Sequence, residues 1–128
     1  MICYTDSIAD ISAQQLNGFF AGWRRPVSPD KHLEILRGSD YVVLAIDDCT
    51  SQVVGFMTVI TDGVMAAYMP LLEVLPEYRG RGIGTELVRR ALDKLHNMKM
   101  IDVMCDADVQ SFYARFGMVP WIGMMIRR

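Results

Sequence analysis

The sequence predicts one domain of the α/β class, in which helices flank a mixed β-sheet. The chain has 128 residues, a length that suits a single domain. Apolar residues make up 52% of it and charged residues 22%, so a packed core can form. Helical and strand periodicities alternate in the second half, which is the order that α/β domains show.

One strand and two helices are predicted in the first third of the chain. Ile2–Tyr4 suits a short first strand. Ser12 is a candidate N-cap for a helix that runs to about Gly22. In "SPDKHLEIL", Ser28 and Pro29 have the preferences of the N-cap and the first position of a second helix.

Three strands follow, all rich in β-branched, aromatic and other apolar residues. "YVVLAI" (41–46) and "VVGFMTVI" (53–60) are separated by a polar turn and predict a hairpin. "MAAYMPLLEV" (65–74) predicts a third strand, mostly apolar on both faces and therefore central in the sheet. Pro70 interrupts it and has no N–H to donate, so we expect a bulge there.

Helix and strand then alternate to the end of the chain. The stretch 83–95 has apolar residues at helical spacing along one side and charged residues along the other. "MIDVMC" (100–105) predicts a strand. "DVQSFYARFG" predicts a helix with Asp108 as N-cap and Gly117 just past its end. The tail "WIGMMIRR" (121–128) can supply a last strand.

The stretch "YRGRGIG" joins the third of those strands to the helix that follows it. Main-chain N–H groups at a helix N-terminus are unpaired, and the helix dipole adds positive charge, so such a turn binds anions. Gly80, Gly82 and Gly84 would let the backbone approach a ligand closely. Arg79 and Arg81 add full charges that can fork onto phosphate oxygens.

Spacing argues against two familiar phosphate-binding loops. No Gly-Lys pair occurs, as a Walker loop requires, and the glycines follow GxGxG where the dinucleotide fingerprint needs GxGxxG. Neither ATP nor NAD is therefore favoured. The loop alone leaves an alternative open, a tight strand-to-helix turn whose arginines are only solvated.

Two stretches resemble the GNAT superfamily of acyl-coenzyme A N-acyltransferases. The family's cofactor loop, Gln/Arg-x-x-Gly-x-Gly/Ala, is matched by Arg79, Gly82 and Gly84 after the lead "VLPEY" (74–78). An aromatic pair before a glycine on the following helix is matched by "FYARFGM" (112–118). With a looser likeness upstream, the resemblance covers nearly the whole chain. Within the superfamily it is most similar to small bacterial arylalkylamine-type N-acetyltransferases.

The resemblance implies a single N-acetyltransferase domain over residues 1–128, with acetyl-CoA as co-substrate. Its sheet would be mostly antiparallel with a splayed central strand pair, and the pantetheine arm would bond to main-chain groups of Leu72, Glu73 and Val74 in the gap. Asp106 stands where the family often has Asn near the pantetheine, so a cofactor contact and a catalytic role both stay open. The pyrophosphate would lie on Arg79, Gly80, Arg81, Gly82, Ile83, Gly84 and Thr85.

Direct acetyl transfer needs a neutral amine, and the departing thiolate can be protonated by a general acid. By resemblance, Tyr113 takes the position of the family's general acid. Its spacing leaves an alternative, an aromatic at the edge of the core that flanks a buried stripe of Val109, Phe112 and Phe116. For the base, Pro70 occupies the position where many members carry Glu.

Four other residues are candidates for the base or for amine contacts. Glu73 is the only carboxylate on its strand, but alternation places it on the opposite face from Pro70, which favours a structural or surface role. His32 is expected on an exposed helix side. Asp62 and Asp106 remain as candidates. No histidine pair or carboxylate cluster has metal spacing, so we infer no metal.

The sequence therefore predicts an N-acetyltransferase that moves an acetyl group from acetyl-CoA to a primary amine of a small substrate. The alternative, motivated by Pro70, is a GNAT-fold acyl-CoA-binding sensor or regulatory protein without turnover. Phe19, Phe20 and Trp23 either contact an aromatic or apolar amine or dock the first helix on the sheet.

Charge and composition limit the partners. The net charge of −2 argues against nucleic-acid binding. No apolar run is long enough to span a bilayer and the N-terminus is acidic, so we expect a cytoplasmic protein and no membrane partner. The odd number of widely spaced cysteines suits reduced, buried thiols. Exposed sheet edges and the Met-rich tail lead us to expect that the chain can form a homodimer.

Overall fold

In the computed structural model, which describes residues 1–128, six strands form one sheet. The strands are β1 (Ile2–Thr5), β2 (Tyr41–Asp47), β3 (Gln52–Thr61), β4 (Ala66–Tyr68), β5 (Leu72–Val74) and β6 (Met100–Asp102). The helices are α1 (Pro29–Gly38), α2 (Ile83–Lys94) and α3 (Gln110–Ala114), with single 3₁₀ turns at Ala13–Leu16, Pro76–Tyr78 and Ala107–Val109.

The two halves of the sheet meet on β3. The strand order is β1-β2-β3-β4-β6, and β5 also pairs with β3. All pairings are antiparallel except that of β4 with β6. Met69 still donates its N–H to the Asp102 carbonyl at 3.0 Å, but β5 and the residues after β6 share no further main-chain hydrogen bond. The structure thus confirms a mixed, mostly antiparallel sheet with a splayed central strand pair.

Different helices cover the two faces of the sheet, because side chains alternate along a strand. On one face, the Phe56 ring lies 5.1 Å from Phe19 and 4.3 Å from His32, between ring centroids. On the other face, a side chain at Gly55 would come within 3.1 Å of Leu87. The absence of that side chain lets α2 pack closely on β3, and the first turn of α2 therefore lies beside β5.

The two longer helices follow their sequence signals. The Ser28 hydroxyl accepts a hydrogen bond from the Lys31 N–H at 3.1 Å, and Pro29 opens α1. In α2, Glu86 pairs with Arg89 and Arg90 on the exposed side. The opposite side of α2 is buried through Ile83, Leu87, Val88 and Ala91.

The prediction of a first helix running to Gly22 is wrong beyond its first turn. Ser12 starts the 3₁₀ turn Ala13–Leu16 as the predicted cap. Gly18 and Phe20 then have φ angles of +95° and +63°, as Gly22 has +81°. These left-handed conformations cannot continue a right-handed helix. The chain therefore crosses the sheet as an irregular segment.

Three strand and cap predictions also need correction. The third strand of the hairpin region splits into β4 and β5, and Pro70 lies in the break between them. β6 ends at Asp102, and residues 103–105 make no main-chain hydrogen bond. Asp108 lies inside the 3₁₀ turn that Asp106 precedes, so it is not a helix N-cap. Gly117 follows α3 as predicted and has a φ of +89°.

Residues 121–128 form no strand, contrary to the prediction. All eight are exposed, and none shares a main-chain hydrogen bond with the rest of the chain. The expectation of buried cysteines is also wrong, since all three thiols are free and exposed. No helix of the protein is both long enough and apolar enough to cross a bilayer.

His32 is the largest departure from expectation in the core. It was predicted on an exposed helix side, yet it is 0% exposed and packs among Phe19, Phe20 and Phe56. Neither ring nitrogen has a hydrogen-bond partner. The Thr58 hydroxyl is the other buried side-chain group without one. Burial without a partner lowers the pKa of His32 to about 4, so the ring is neutral at pH 7.

We expect folding stability to fall as the pH drops from about 6.5 to about 4. In that window the unfolded chain binds a proton at His32 and the folded chain does not, so stability rises with pH. The dependence is at most about 1.4 kcal/mol per pH unit. Urea unfolding at pH 7 and pH 5 measures it, with His32→Leu as the comparison. Equal pH dependence in the two proteins would contradict the assignment to His32.

Candidate functional site

The open edge of β5 offers main-chain groups to a ligand. The Leu75 N–H bonds the Val54 carbonyl at 2.8 Å and the Thr58 N–H bonds the Leu71 carbonyl at 3.1 Å. Bonded residues alternate along an antiparallel pair, so the main chain of Glu73, which is opposite Phe56, also bonds β3. The N–H and C=O groups of the residues on either side of Glu73 therefore point away from β3.

This register corrects one predicted contact. Leu72 and Val74 have main-chain groups directed into the gap, whereas those of Glu73 are taken by β3. Only the side chain of Glu73 can serve a ligand. The Arg79 Nε donates to the Val74 carbonyl at 2.9 Å, which leaves the N–H of Val74 and both main-chain groups of Leu72 unpaired at this edge.

A cleft of about 580 Å³ lies between β5, the loop after it, the start of α2 and the region of α3. Nine of the eleven residues predicted to bind the cofactor line it; Arg81 and Asp106 do not. The nine are Leu72, Glu73, Val74, Arg79, Gly80, Gly82, Ile83, Gly84 and Thr85. Sequence reasoning missed the other four lining residues, which are Tyr78, Val109, Phe112 and Arg115.

The loop before α2 presents a row of unpaired N–H groups to this cleft. From Gly80 to Thr85, no main-chain N–H donates to an acceptor within the protein, and the first helical bond is made by Glu86 to the Gly82 carbonyl at 3.1 Å. Gly82 has a φ of +81°, and a side chain there would meet nothing within 4 Å. The backbone is therefore both free of partners and open to a ligand, as an anion site at a helix N-terminus requires.

Arginines add positive charge around that row. Arg79 lines the cleft, and Arg115 reaches it from α3's end, where its Nη2 donates to the Thr85 hydroxyl at 3.1 Å and its guanidinium lies over the Phe112 ring. A signal for Arg115 was present, because it is one helical turn after Phe112. Arg81 instead packs over the Tyr78 ring at 5.0 Å, outside the cleft. Two arginines and free N–H groups fit a diphosphate.

Glu73 has the only acidic side chain that lines the cleft, and this side chain lies on the face of the sheet that the N-terminal segment covers. Its two carboxylate oxygens accept from the Phe20 N–H at 3.2 and 3.0 Å. Burial raises the pKa of Glu73, while the bond from Phe20 and the charge of Arg79 oppose that rise. The predicted structural role is therefore present, since the carboxylate holds Phe20 in its left-handed conformation.

Tyr113 is buried at 6% exposure, whereas Val109, Phe112 and Phe116 are more exposed, the reverse of the predicted stripe. Burial raises the pKa of Tyr113 to about 12, and the charge of Cys105 acts in the same direction. The phenol makes no hydrogen bond within the chain, and it is not among the sealed polar atoms, so its oxygen reaches solvent. Tyr113 does not line the cleft, but its ring lies 5.0 Å from that of Phe112, which does.

The remaining base candidates are separate from the cleft lining. Asp62 accepts from the N–H groups of Val64, Met65 and Ala66, which lowers the pKa of Asp62 and marks it as a turn residue. His32 is sealed in the core. Asp106 is exposed and precedes the turn that leads into α3. None of these three lines the cleft.

One acidic cluster lies elsewhere. Ligand atoms of Asp47, Asp48 and Cys49 are within 4.8 Å of one another at the exposed β2–β3 turn. The N-terminal amine pairs with Asp48 at 3.2 Å, and the Tyr78 hydroxyl donates to Asp47 at 2.7 Å. These partners account for the cluster.

Comparison with known proteins agrees with this geometry. The model of the acetyltransferase (GNAT) family matches residues 8–118, and the chain belongs to that family. A crystal structure assigned as an acetyltransferase of Deinococcus radiodurans is 39% identical, with a TM-score of 0.95 over 99% of this chain and 88% of that one. A GNAT family protein of Streptococcus pneumoniae is 23% identical, with a TM-score of 0.80 over 100% and 98% of the two chains.

A more distant relative has a named activity. The chain is 33% identical over 58 residues to N-alpha-acetyltransferase 30 of Schizosaccharomyces pombe. The match covers 41% of this chain and spans only 39% of that relative's length. The similar stretch therefore belongs to an acetyltransferase in that relative, and the similarity does not identify the acceptor of the present protein.

Proposed function

We propose that the protein is an N-acetyltransferase that moves an acetyl group from acetyl-CoA to a primary amine of a small substrate. The observation that carries this proposal is the row of free N–H groups from Gly80 to Thr85 beside the open edge of β5. The row of N–H groups suits a diphosphate, and the open edge of β5 suits a chain that carries amide groups. CoA carries both groups, in that order.

The residues present fit acetyl-CoA. Arg79, Arg115 and the loop N–H groups would hold the pyrophosphate, and the outward main-chain groups of Leu72 and Val74 would bond the pantetheine amides. When bound, acetyl-CoA supplies the acetyl group as a thioester. Glu73 then lies on the strand that would carry the pantetheine, with its side chain on the face covered by Phe20.

Two side chains of the protein have separate roles in the proposed reaction, proton donation to the leaving group and attraction of the amine. Tyr113 keeps its proton at neutral pH, and its ring lies 5.0 Å from that of Phe112, which lines the cleft. From there it would give that proton to a departing thiolate, after which solvent returns the proton.

Glu73 is the negative charge that draws a cationic amine into the cleft, since every other charged lining residue is an arginine. The amine gives its ammonium proton to solvent before it attacks the thioester as a neutral group, and the proton it loses when the amide forms also goes to solvent. Trp23 is 50% exposed, and its ring lies 5.0 Å from that of Phe20, whose N–H donates to Glu73. An exposed aromatic side chain on the segment that Glu73 binds supports the predicted likeness to arylalkylamine-type enzymes.

Glu73→Gln is expected to raise the KM for the amine about tenfold, or about 1.4 kcal/mol, while acetyl-CoA affinity stays unchanged. Glutamine keeps an oxygen that accepts from the Phe20 N–H, so the segment stays docked while the charge is removed. Steady-state kinetics with the amine varied, together with calorimetry of acetyl-CoA, gives both quantities. An unchanged KM would assign Glu73 a structural role alone.

Thiol release from acetyl-CoA with a panel of small amines tests the function. We expect CoA production above background with at least one primary amine, and acetylated product by mass spectrometry. If acetyl-CoA binds but every amine, including peptide N-termini, leaves CoA production at background, the sensor or regulatory alternative replaces the enzyme. Peptides are included because the S. pombe relative is named for N-alpha acetylation.

A further inference from the structure

The cofactor loop, residues 79–85, has few hydrogen bonds of its own. From Gly80 to Thr85 no main-chain N–H donates to an acceptor in the protein. The position of the loop therefore depends on the structure at its two ends. Helix α2 begins within its second half, and the 3₁₀ turn Pro76–Tyr78 precedes it. Tyr78, at the end of that turn, has a side chain that links this end of the loop to the sheet.

Packing encloses Tyr78 only in part. Its side chain is half-buried and lines the cleft beside β5. It also lines a second depression, of about 610 Å³, between the N-terminal segment, the β2–β3 hairpin and the turn before the loop. A side chain that borders two open spaces is held less by packing than a core residue is, so a directional contact matters more for its position.

Asp47 supplies that directional contact. The Tyr78 hydroxyl donates to Oδ2 of Asp47 at 2.7 Å, across 31 positions of sequence. A hydrogen bond of this length to a carboxylate is among the stronger ones in proteins. The bond lowers the pKa of Asp47 and raises the pKa of Tyr78, so at neutral pH the carboxylate is ionised and the phenol keeps its proton.

Asp47 is itself fixed by the β2–β3 turn. Its Oδ1 accepts from the Cys49 N–H at 3.0 Å. Its main-chain carbonyl accepts from the N–H groups of Thr50 and Ser51 at 3.2 and 2.7 Å, and it is the last residue of β2. The carboxylate is therefore oriented by its own turn, and the phenol is bound to a well-anchored part of the sheet.

The restraint continues from Tyr78 into the loop. The guanidinium of Arg81 lies over the Tyr78 ring at 5.0 Å, and its Nη2 donates to the Glu77 carbonyl at 3.1 Å. The Tyr78 N–H donates to the Leu75 carbonyl at 2.9 Å. Because Arg81 belongs to the row of free N–H groups, a fixed Tyr78 ring also restrains the backbone of that row.

We propose that Asp47 is a positioning residue for the cofactor loop, which holds the Tyr78 hydroxyl so that the N–H groups from Gly80 to Thr85 stay aligned for a diphosphate. Asp47 does not line the cleft, so it acts only through Tyr78. The inference rests on the proposed cofactor, acetyl-CoA, and is independent of which amine is acetylated. The affinity for acetyl-CoA then depends in part on the β2–β3 hairpin, outside the cleft.

Two variants and their combination test the proposal by calorimetry of acetyl-CoA. Asp47→Ser removes the oxygen that meets Tyr78, while the serine hydroxyl can still accept from the Cys49 N–H. We expect its affinity to fall about fivefold, because a hydrogen bond to a charged group is lost. Tyr78→Phe removes the other partner and should give the same loss. The double variant should be no weaker than either single one, since both changes remove one contact.

A kinetic comparison and two matched controls separate positioning from general destabilisation. In Asp47→Ser the KM for acetyl-CoA should rise while kcat equals that of the wild type, because Asp47 does not line the cleft. Asp62→Ser is its control, since Asp62 also accepts main-chain N–H groups in an exposed turn away from the cleft. Tyr68→Phe is the control for Tyr78→Phe, since Tyr68 does not line the cleft. Both controls should bind acetyl-CoA as the wild type does.

Several outcomes would overturn the inference. Wild-type affinity in either single variant, or losses that add in the double variant, would do so. If the wild type does not bind acetyl-CoA, the proposed function fails, and titration with inorganic pyrophosphate then decides the inference. Weaker pyrophosphate binding in both variants supports it, whereas equal binding, or none in the wild type, overturns it. Should Asp47→Ser not fold, the affinity of Tyr78→Phe relative to Tyr68→Phe decides in the same way.

Discussion

Gly82→Asp is expected to weaken acetyl-CoA binding at least 100-fold, which is about 2.7 kcal/mol. The new side chain would meet no protein atom within 4 Å, so it would project into the space that the pyrophosphate needs. Its negative charge would also oppose the diphosphate in a site built from free N–H groups. Calorimetry of acetyl-CoA at fixed ionic strength measures the loss.

Gly63→Asp is the matched control for that variant. Gly63 has a φ of +76° against +81° for Gly82, and a side chain there also meets nothing within 4 Å. Both variants therefore carry the same cost of a side chain in the left-handed region. We expect Gly63→Asp to bind acetyl-CoA as the wild type does. Equal affinity in Gly82→Asp would place the phosphates elsewhere.

Tyr113→Phe is expected to lower kcat about 100-fold, within the range for a lost general acid. The substitution removes one oxygen that has no partner in the chain, so folding and acetyl-CoA affinity should not change. Because the pKa of Tyr113 is about 12, the wild-type rate should show no fall on the alkaline side below about pH 11. Pre-steady-state thiol release separates the chemical step from product release.

Tyr41→Phe serves as its control, since Tyr41 lies on β2 with its ring under Lys94, away from the cleft. It should retain wild-type turnover. If Tyr113→Phe also retains wild-type turnover across the pH range, another group protonates the thiolate. The phenol would then be an aromatic of the core, the alternative that its spacing left open.

Short stretches of sequence were sufficient to predict those elements whose structure depends on neighbouring residues in the chain. The N-cap of α1, the hairpin of β2 and β3, and the amphipathic α2 all formed as predicted. The glycine loop also lies where its motif placed it, because strand, turn and helix start are adjacent in the chain. Nine of the predicted cofactor residues consequently line one cleft.

The failures depend on contacts between distant residues. The predicted first helix ends at Leu16, and the irregular path beyond it involves Glu73, whose carboxylate accepts from the N–H of the left-handed Phe20 across 53 positions of sequence. His32 is buried because the irregular segment that replaces that helix brings Phe19 and Phe20 over it. Neither contact leaves a periodic trace in the sequence. Arg115 was missed although its spacing from Phe112 was a signal, because its position at the cleft also depends on a bond to Thr85, 30 positions away.

At the open edge of β5, the cofactor would be recognised by main-chain groups and not by side chains, so the side chains there can vary. Leu72 and Val74 would bond the pantetheine through main-chain groups, which every residue other than proline possesses. The side chains of Leu72 and Val74 can then change without removing those main-chain contacts, whereas that of Glu73 also binds the Phe20 N–H. Laboratory evolution of acceptor specificity can therefore begin with libraries at Leu72 and Val74 that exclude proline, and acetyl-CoA affinity should hold across most of their members.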